Sequence, residues 1–581
     1  MIKQLTERQE ESTIQSGTTS RFRLTRPAII DICVVLVLLI VALIPRIQLA
    51  NQLDMVTDEI VYIWGGKVYF SLLTHLQFTS PAWHYNYEHP PLVKLLIGFT
   101  LACNSHLGHP LTELQVERVP SIVMGVLLIG AIYWLGRRPF GRTVATLAAL
   151  CLAVSPWLAY FSALAYLDMT MTTLATIAFL LLWYAVQRPW MYLLVGVFLG
   201  LAADSKYPAV FLVPGMVLYA LYYTFFIRPR LGDASKPPWK WWIGAMLLSL
   251  LVFLLVDPAI WTNPPVKLFE SFFYEWNHST MGHLTFMAGA SYEHMPSWTI
   301  FYMLGAKLSV FLTLPALGFI VYAVVKLIRY HRTPSAVAPI EAANLAFLSI
   351  WLVSAIAMYS LLNIVVGTHY YLPVAPPIAL SGAFGLAVLL RYRRRLPWAQ
   401  KSSQAVAADG TPLDEQKISR VRPYTPLNAR AGITIALMVL ILTIPHLIGL
   451  VTIRDAEGYT SELFPNENAS LQVAYPGYRD AVLWLADHTK GSARVGLVAI
   501  SLTTLGSGPQ DERSWYYYNQ DLPKQLSLST VTPSDHTYKS DYLVWPMHLQ
   551  QRGFTIPEPW RSHIVHTITG GNTIYCYILS R

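Results

Sequence analysis

The stretch AIIDICVVLVLLIVALI at residues 28–44 decides the fold of this chain, because 16 of its 17 residues are uncharged. An apolar helix of roughly 20 residues is long enough to cross a membrane. Five basic residues precede the stretch, and Pro45-Arg46 follows it without a small-residue cleavage site. We therefore expect an uncleaved anchor with the N-terminus in the cytoplasm.

The rest of the chain continues this pattern. It has 581 residues, 54% of them hydrophobic, and a mean hydropathy of +0.41, which is typical of a polytopic membrane protein. The sequence predicts eleven spans, at 28–46, 118–136, 143–161, 169–187, 190–203, 207–227, 239–256, 301–327, 343–362, 371–390 and 432–452. The apolar stretch Leu92–Cys103 is too short to span and is expected at the interface or as a re-entrant helix.

Charge in the connecting loops predicts the topology. Alternate connections are strongly basic, and all of them fall in the cytoplasm when the N-terminus is inside. This arrangement accounts for the net charge of +9 without a nucleic-acid partner. It places the long loops 47–117 and 257–300 outside, together with the C-terminus, in an integral protein of the plasma membrane. The four cysteines form no CxxC spacing, so no disulfide framework is expected.

The predicted domain organisation follows from these changes in composition. We expect a cytoplasmic tail at 1–27, a catalytic membrane domain at 28–390, a cytoplasmic linker at 391–431, a last span at 432–452 and an extracytoplasmic domain at 453–581. In this last domain the patterns predict a helix at Tyr478–His488, strands at Arg494–Ile500 and Tyr542–Trp545, and a hairpin over His563–Leu579. The predicted fold class is a polytopic α-helical membrane protein with a small C-terminal extracytoplasmic α/β domain.

Ionisable residues gather in the predicted outer loops, although only 13% of the chain is charged. VTDEIVY at 56–62 carries Asp58 and Glu59, and YEHPPLVK at 87–94 follows. A carboxylate can take the proton of an attacking hydroxyl, and cations can stabilise a departing phosphate. Such groups at a membrane face suit sugar transfer from a lipid phosphate.

The order of several short motifs resembles the GT-C superfamily of membrane glycosyltransferases. The resemblance is closest to the protein O-mannosyltransferases and their bacterial relatives, the aminoarabinose transferases, and it covers about residues 28–390. The motifs are Asp58-Glu59, His89-Pro90-Pro91-Leu92 with Lys94, Glu117-Arg118-Val119-Pro120-Ser121, Leu135–Arg142, Leu167-Asp168, Gly200-Leu201-Ala202 with Ser205-Lys206-Tyr207, and His369–Pro377. No loop is long enough for the β-trefoil module of the eukaryotic members, which indicates a bacterial or archaeal type.

The resemblance implies inverting transfer of a mannose-like hexose or a modified pentose from a polyprenyl-phosphate donor to a protein hydroxyl, a lipid or a cell-envelope glycan. Asp58, Glu59 and Asp168 are the candidate catalytic residues. The candidate ligands of the donor phosphate are Arg118, Lys94, Lys206 and His89. The candidate contacts to the acceptor or sugar are Glu88, His278, His294, His369 and Tyr370. A divalent metal is a further candidate cofactor, with Glu88, His278 and His369 as its candidate ligands.

Each assignment has a structural alternative. Asp58 and Glu59 fit the acidic first turn of a helix, and Asp168 fits a cap. Arg118, Lys94 and Lys206 fit interfacial cations that contact lipid headgroups. For the whole chain, a transporter or flippase of lipid-linked sugars is the alternative function, although charges at one face are unlike the midplane sites of transporters. A membrane-anchored sensor or adhesin is a third.

Overall fold

The computed structural model describes residues 26–233, 235–282, 284–362, 367–392, 429–452, 458–464, 466–499, 525–534 and 538–581. The predicted tail 1–27 and linker 391–431 lie almost wholly outside these residues. The helices up to the last predicted span are α1 (Arg26–Gln52), α2 (Thr57–Thr74), α3 (Leu92–His106), α4 (Glu113–Phe140), α5 (Arg142–Ala153), α6 (Pro156–Ser162), α7 (Asp168–Ala185), α8 (Tyr192–Ala203), α9 (Val213–Tyr222), α10 (Trp239–Val256), α11 (Pro264–Met281), α12 (Thr299–Lys307), α13 (Val310–Arg332), α14 (Pro339–Tyr359), α15 (Ala375–Tyr392) and α16 (Ala429–Thr452).

Among the described residues, nine helical segments are long and apolar enough to cross a membrane. The pair α5 and α6 makes a tenth if it counts as one span, with a bend of 64°. The protein is therefore an integral multi-pass membrane protein, as its composition predicts. The sequence predicts eleven spans, one more than these ten. The difference is the segment 190–203, which forms only the shorter apolar helix Pro189–Ala203.

The bounds of one predicted span are wrong. The segment 301–327 is divided between α12 and α13, and the helix long enough to span is Val310–Arg332. The break falls at Ser309, whose hydroxyl accepts a hydrogen bond from the Phe311 amide at 3.2 Å. Lys307, at the end of α12, forms a buried ion pair with Glu467 at 2.5 Å. The buried charge of Lys307 therefore lies where α12 ends, and the polar cap of Ser309 begins α13.

The bend between α5 and α6 is stabilised by a buried arginine. Pro156 has no amide hydrogen and disfavours helical geometry at the residue before it, so the helix is interrupted there. Arg46 of α1 donates from Nη1 to the carbonyls of Ala42 at 2.7 Å and Ala153 at 3.1 Å. A Cβ at Gly125 would lie 2.9 Å from Arg46 Nε and 2.4 Å from Ser162 Oγ, so only glycine allows α4 to pass this close. The bend sets the path of the chain toward α7.

The C-terminal part folds around one mixed sheet. Its strands are β3 (Ala493–Val498), β4 (Leu526–Val531), β5 (Tyr542–Pro546), β6 (Ile564–Gly570) and β7 (Thr573–Ser580), in the order β4-β3-β5-β7-β6. β3 pairs in parallel with β4 and β5, whereas β7 pairs antiparallel with β5 and β6. The helices here are α17 (Glu467–Ser470), α18 (Tyr478–His488) and α19 (Met547–Gln551). The bounds of α18 agree with the predicted helix, and the small α/β unit is confirmed.

This C-terminal unit packs on the polar loops of the membrane part. The backbone amide of Arg479 donates to Asp54 Oδ2 at 3.0 Å, just before α2 begins. A short hairpin formed by β1 (Thr285–Met287) and β2 (Ala290–Tyr292) also meets it, through a β-bridge between Met287 and Leu471. With the Lys307–Glu467 ion pair, these contacts hold the unit directly over the start of α2.

Candidate active site

Asp58 and Glu59 occupy the first turn of α2 but have opposite environments. The chain is extended at Val56 and enters the helix at Thr57. Adjacent helical residues point about 100° apart, so neighbouring side chains need not share a surface. Here the Asp58 side chain is accessible to solvent, whereas Glu59 is fully buried. The acidic pair is thus divided between the accessible surface and the protein interior.

Glu59 binds Arg118 in a closed network. Its two oxygens accept from Arg118 Nε at 2.9 Å and Nη2 at 2.7 Å. They also accept from the backbone amides of Ala165 at 2.7 Å and Val56 at 2.9 Å. The carboxylate therefore joins α2 and α4 to the segment between α6 and α7.

Arg118 uses its whole guanidinium in this network. Besides Glu59, it donates to the carbonyls of Ala50, Leu53 and Asp54 at 2.7–2.9 Å. These bonds account for all five N–H groups of an arginine, and the side chain is fully buried. A phosphate could bind Arg118 only by replacing one of these partners. This geometry gives Arg118 structural contacts, and its phosphate-binding role stays a prediction.

The surroundings of Asp58 are polar and charged on several sides. The Tyr166 hydroxyl donates a hydrogen bond to it, and Asp168, Lys206 and Arg552 lie within electrostatic range. Protein groups displace most of the water around the carboxylate even though it borders an opening. This desolvation raises the pKa of Asp58 above its ordinary value; Asp168 raises it further, whereas Lys206 and the Tyr166 hydrogen bond lower it.

Lys206 and Asp168 form a second buried ion pair, and this one borders Asp58. Lys206 Nζ donates to the two Asp168 oxygens at 2.8 Å and 3.1 Å. The same ammonium lies 4.4 Å from the centre of the Tyr370 ring, in cation–π contact. A lysine has three N–H donors, so one N–H is left over from the bonds to Asp168.

Aromatic rings line the region between these groups. The Tyr62 ring lies 6.0 Å from that of Tyr166 and 5.7 Å from that of His89. On the other side His369 stacks on Tyr166, with centroids 5.6 Å apart and planes at 10°. Tyr370 follows directly. Six predicted site residues are therefore brought together: Asp58, His89, Asp168, Lys206, His369 and Tyr370.

Sequence reasoning missed Tyr62 and Tyr166, which connect the predicted residues. Tyr62 lies four residues after Asp58, so both share one face of α2. Tyr166 lies two residues before Asp168, in the loop that Glu59 fixes through Ala165. The spacing of Tyr62 is a signal that could have been used. The placement of Tyr166 depends on tertiary contacts alone.

Lys94 lies behind this region in a separate buried cluster. Its ammonium donates to the carbonyls of Asn86 at 2.6 Å and His89 at 2.8 Å, so it holds the loop that carries His89. Its charge also interacts with Asp204 and Asp257, both buried. Burial raises the pKa of Asp204 well above its ordinary value and that of Asp257 to about 7, with Lys94 opposing both. As placed, Lys94 orders the loop; its phosphate-binding role stays a prediction.

The remaining predicted contacts are dispersed. Glu88 accepts a hydrogen bond from Asn86 Nδ2 at 2.7 Å. His294 is exposed and its ring lies against Gly282. The side chain of His278 is outside the description. In the part of the chain that the structure describes, no group of three or more His, Cys, Asp or Glu residues could hold a metal ion.

Comparison with known families gives the superfamily. A model of the dolichyl-phosphate-mannose-protein mannosyltransferase family matches residues 88–261. The matched segment contains His89, Asp168 and Lys206 of the cluster around Asp58. The match supports a member of the GT-C glycosyltransferase superfamily. The motifs of the sequence predict the same superfamily.

Two solved structures are similar to this chain over most of its length. ArnT from Cupriavidus metallidurans bound to undecaprenyl phosphate is 15% identical, with a TM-score of 0.47 and 94% of this chain and 97% of that chain covered. The Archaeoglobus fulgidus oligosaccharyltransferase tethered to an acceptor peptide with an NVT sequon is 11% identical, with a TM-score of 0.47 and coverage of 89% and 69%. A search among curated protein sequences finds no match.

Proposed function

We propose that this chain is an inverting glycosyltransferase that moves a sugar from a polyprenyl-phosphate donor to a hydroxyl group at the outer membrane face. The sugar is a mannose-like hexose or a modified pentose, and the acceptor is a protein, a lipid or a cell-envelope glycan. One observation carries the proposal: Asp58 is an accessible carboxylate that receives a hydrogen bond from Tyr166 and interacts with the Lys206–Asp168 ion pair. The name of the matched family supports a lipid-phosphate donor.

Asp58 acts as the general base in this mechanism. The acceptor oxygen attacks the anomeric carbon from the face opposite the phosphate, and its proton passes to Asp58. The anomeric carbon–oxygen bond breaks, and its electron pair leaves with the phosphate. Because one displacement occurs, the anomeric configuration is inverted. The raised pKa of Asp58 makes this carboxylate a stronger base than an exposed aspartate.

The departing phosphate gains negative charge and needs a cation or oriented donors. The Lys206 N–H that Asp168 does not use, and the ring of His89, line the same region as Asp58. Asp168 holds Lys206 in place, and the two charges of this pair offset each other. The ammonium is therefore bound to Asp168 and not to Asp58. In this proposal Asp168 is a positioning residue, and the aromatic rings of Tyr62, Tyr166 and Tyr370 supply surfaces on which a sugar can stack.

The proposed sidedness follows the loop charges of the sequence. Asp58 and the C-terminal domain then face outward, and the N-terminus is cytoplasmic. The domain bounds predicted above are part of the same proposal, including the cytoplasmic linker 391–431.

The test is transfer by the purified full chain reconstituted in lipid nanodiscs. Radiolabelled polyprenyl-phosphate mannose and a cell-envelope extract are supplied, and label in protein, lipid and glycan fractions is counted. We expect transfer by the wild type and by Asp487→Asn, which changes an exposed carboxylate of α18, but not by Asp58→Asn. Equal labelling by Asp58→Asn would overturn the catalytic assignment. Movement of the labelled lipid across proteoliposomes without covalent product would favour a flippase instead.

A further inference from the structure

The C-terminal domain brings a cation, Arg552, into electrostatic range of Asp58. Arg552 follows α19 directly, and the preceding residue, Gln551, anchors it. The Gln551 side chain accepts from the Val473 amide at 2.9 Å and donates to the carbonyls of Asn468 and Leu471, both at 2.9 Å. Gln551 is buried, so the backbone beside Arg552 is held by three hydrogen bonds within the domain.

Contacts with the membrane part fix the position of this turn over the site. The carbonyl of Gln551 accepts from Ser291 Oγ of β2 at 2.7 Å. On the other side the Arg479 amide binds Asp54, four residues before Asp58. The charges of Arg552 and Asp58 consequently lie close enough to interact.

Two polar groups of this turn have no hydrogen-bond partner among the residues that the structure describes. Within the described residues, Arg552 Nε and His548 Nδ1 are buried and make no hydrogen bond. The two residues are four apart, one turn of chain, so they belong to the same surface. Burial and the charge of Arg552 lower the pKa of His548 to about 3, so at neutral pH its imidazole is uncharged and can donate one N–H. Buried donors without partners are costly, and a bound acceptor of hydrogen bonds would remove that cost.

Arg552 differs from Lys206, because Lys206 has Asp168 as its own carboxylate partner. Arg552 is half-buried, and the carboxylate whose charge it feels is Asp58, the proposed base. A guanidinium presents a fork of N–H groups that fits phosphate and carboxylate. It would also offset the repulsion that the Asp58 charge exerts on an anion brought beside it.

We infer that Arg552 and His548 form an anion-binding subsite facing Asp58, which takes a phosphate or carboxylate group carried by the acceptor. This inference rests on the proposed function. The subsite belongs to the acceptor because the domain that provides it lies on the water side of the helices, whereas a polyprenyl donor stays in the bilayer. Arg552 and His548 are positioning and specificity residues: they hold the anionic group so that the neighbouring hydroxyl of the acceptor lies at Asp58.

The first test measures binding without any transfer. Inorganic phosphate is titrated into the full chain in nanodiscs and followed by calorimetry, with Arg552→Met, Arg552→Lys and the exposed-residue control Arg561→Met. We expect phosphate affinity to fall about tenfold in Arg552→Met, to fall less in Arg552→Lys, and to remain unchanged in Arg561→Met. Equal melting temperatures exclude unfolding as the cause. Phosphate affinity unchanged in Arg552→Met would overturn the subsite, whether or not the protein transfers sugar.

The second test uses transfer kinetics to identify the source of the anion. With labelled polyprenyl-phosphate mannose and the labelled extract fraction as substrates, Arg552→Met should raise the KM for acceptor about tenfold and leave the KM for donor unchanged. A raised KM for donor would assign the subsite to the donor phosphate and contradict the inference. Wild-type kinetics in Arg552→Met together with an inactive Asp58→Asn would reject the subsite and keep the proposed function.

Discussion

Two buried ion pairs lie on either side of the start of α2, and their surroundings are different. Glu59 and Arg118 satisfy each other and five backbone groups, and both are fully buried. Asp168 and Lys206 bind each other just as closely, but their pair borders the accessible Asp58 and leaves a lysine N–H unused. The first pair therefore holds helices together, and the second is able to meet a substrate. Burial of a charge in a membrane protein therefore does not by itself distinguish an ion pair that holds helices together from one that can meet a substrate.

The largest expected effect comes from the carboxylate that belongs to neither pair. Asp58→Asn should reduce transfer by roughly 10²–10⁴-fold, because the general base is lost while the side-chain shape is kept. Its melting temperature should stay close to that of the wild type, since the Asp58 side chain borders solvent. Transfer rate and thermal unfolding are measured on the same preparations. Loss of folding in Asp58→Asn would show that the two neighbouring carboxylates share a structural role.

Glu59→Gln should have the opposite profile. The change leaves the Arg118 charge buried without its partner, which typically costs about 3–5 kcal/mol. We expect a lower melting temperature and poor recovery from the membrane, with activity lost in proportion to folded protein. Activity per folded molecule that falls as far as in Asp58→Asn would instead place Glu59 among the catalytic groups, as its sequence position predicts.

The double replacement Asp168→Asn with Lys206→Met sharpens the comparison from the other side. Both charges are removed together, so no unpaired ion is left and stability should change little. Transfer should still fall about tenfold or more, because the donor near Asp58 is gone. Asp487→Asn combined with Lys490→Met, both on exposed sites, is the matched control. Wild-type transfer by the double variant would make this pair structural as well.

The smallest effect is a shift of the pH profile. Asp58 can accept a proton only when ionised, and burial raises its pKa, so kcat/KM should fall on acidification with a midpoint above the ordinary aspartate value of about 3.9. Lys206 opposes the raised pKa, so Lys206→Met should move the midpoint upward and Lys490→Met should not. A midpoint that is unchanged in Lys206→Met would mean that a different group controls the acidic limb.

Sequence patterns predicted those parts of the molecule that depend on local order. The bounds of α18, the hairpin of β6 and β7 and most apolar helices follow from periodicity and turn residues. The break at Ser309 was missed because Lys307, which ends the preceding helix, has a partner, Glu467, that lies 160 residues away in sequence. Composition cannot show such a partner.

The sequence predicted which residues gather at the candidate site better than it predicted the contacts of each one. Asp58, Asp168 and Lys206 were selected because charges at a membrane face are rare, and the fold brings them together. Arg118 was selected by the same argument, yet its guanidinium is wholly used by Glu59 and three carbonyls. Which of two adjacent carboxylates faces an arginine depends on the rotation of α2 and the path of the chain after α6. Arg552 is almost 500 residues from Asp58 in sequence, and no local pattern connects them.

The anchoring of the C-terminal domain through Asp54 and Gln551 has a consequence for cooperativity. A ligand that contacts both Asp58 and Arg552 bridges the membrane part and the C-terminal domain, so its binding free energy depends on how the two are docked. By thermodynamic linkage, docking and acceptor affinity then strengthen each other by the same factor. Substitutions that break the Lys307–Glu467 ion pair should therefore change the affinity for acceptor, although this pair is remote from any bound sugar. The C-terminal domain would in this way control the acceptor affinity of the chain to which it belongs.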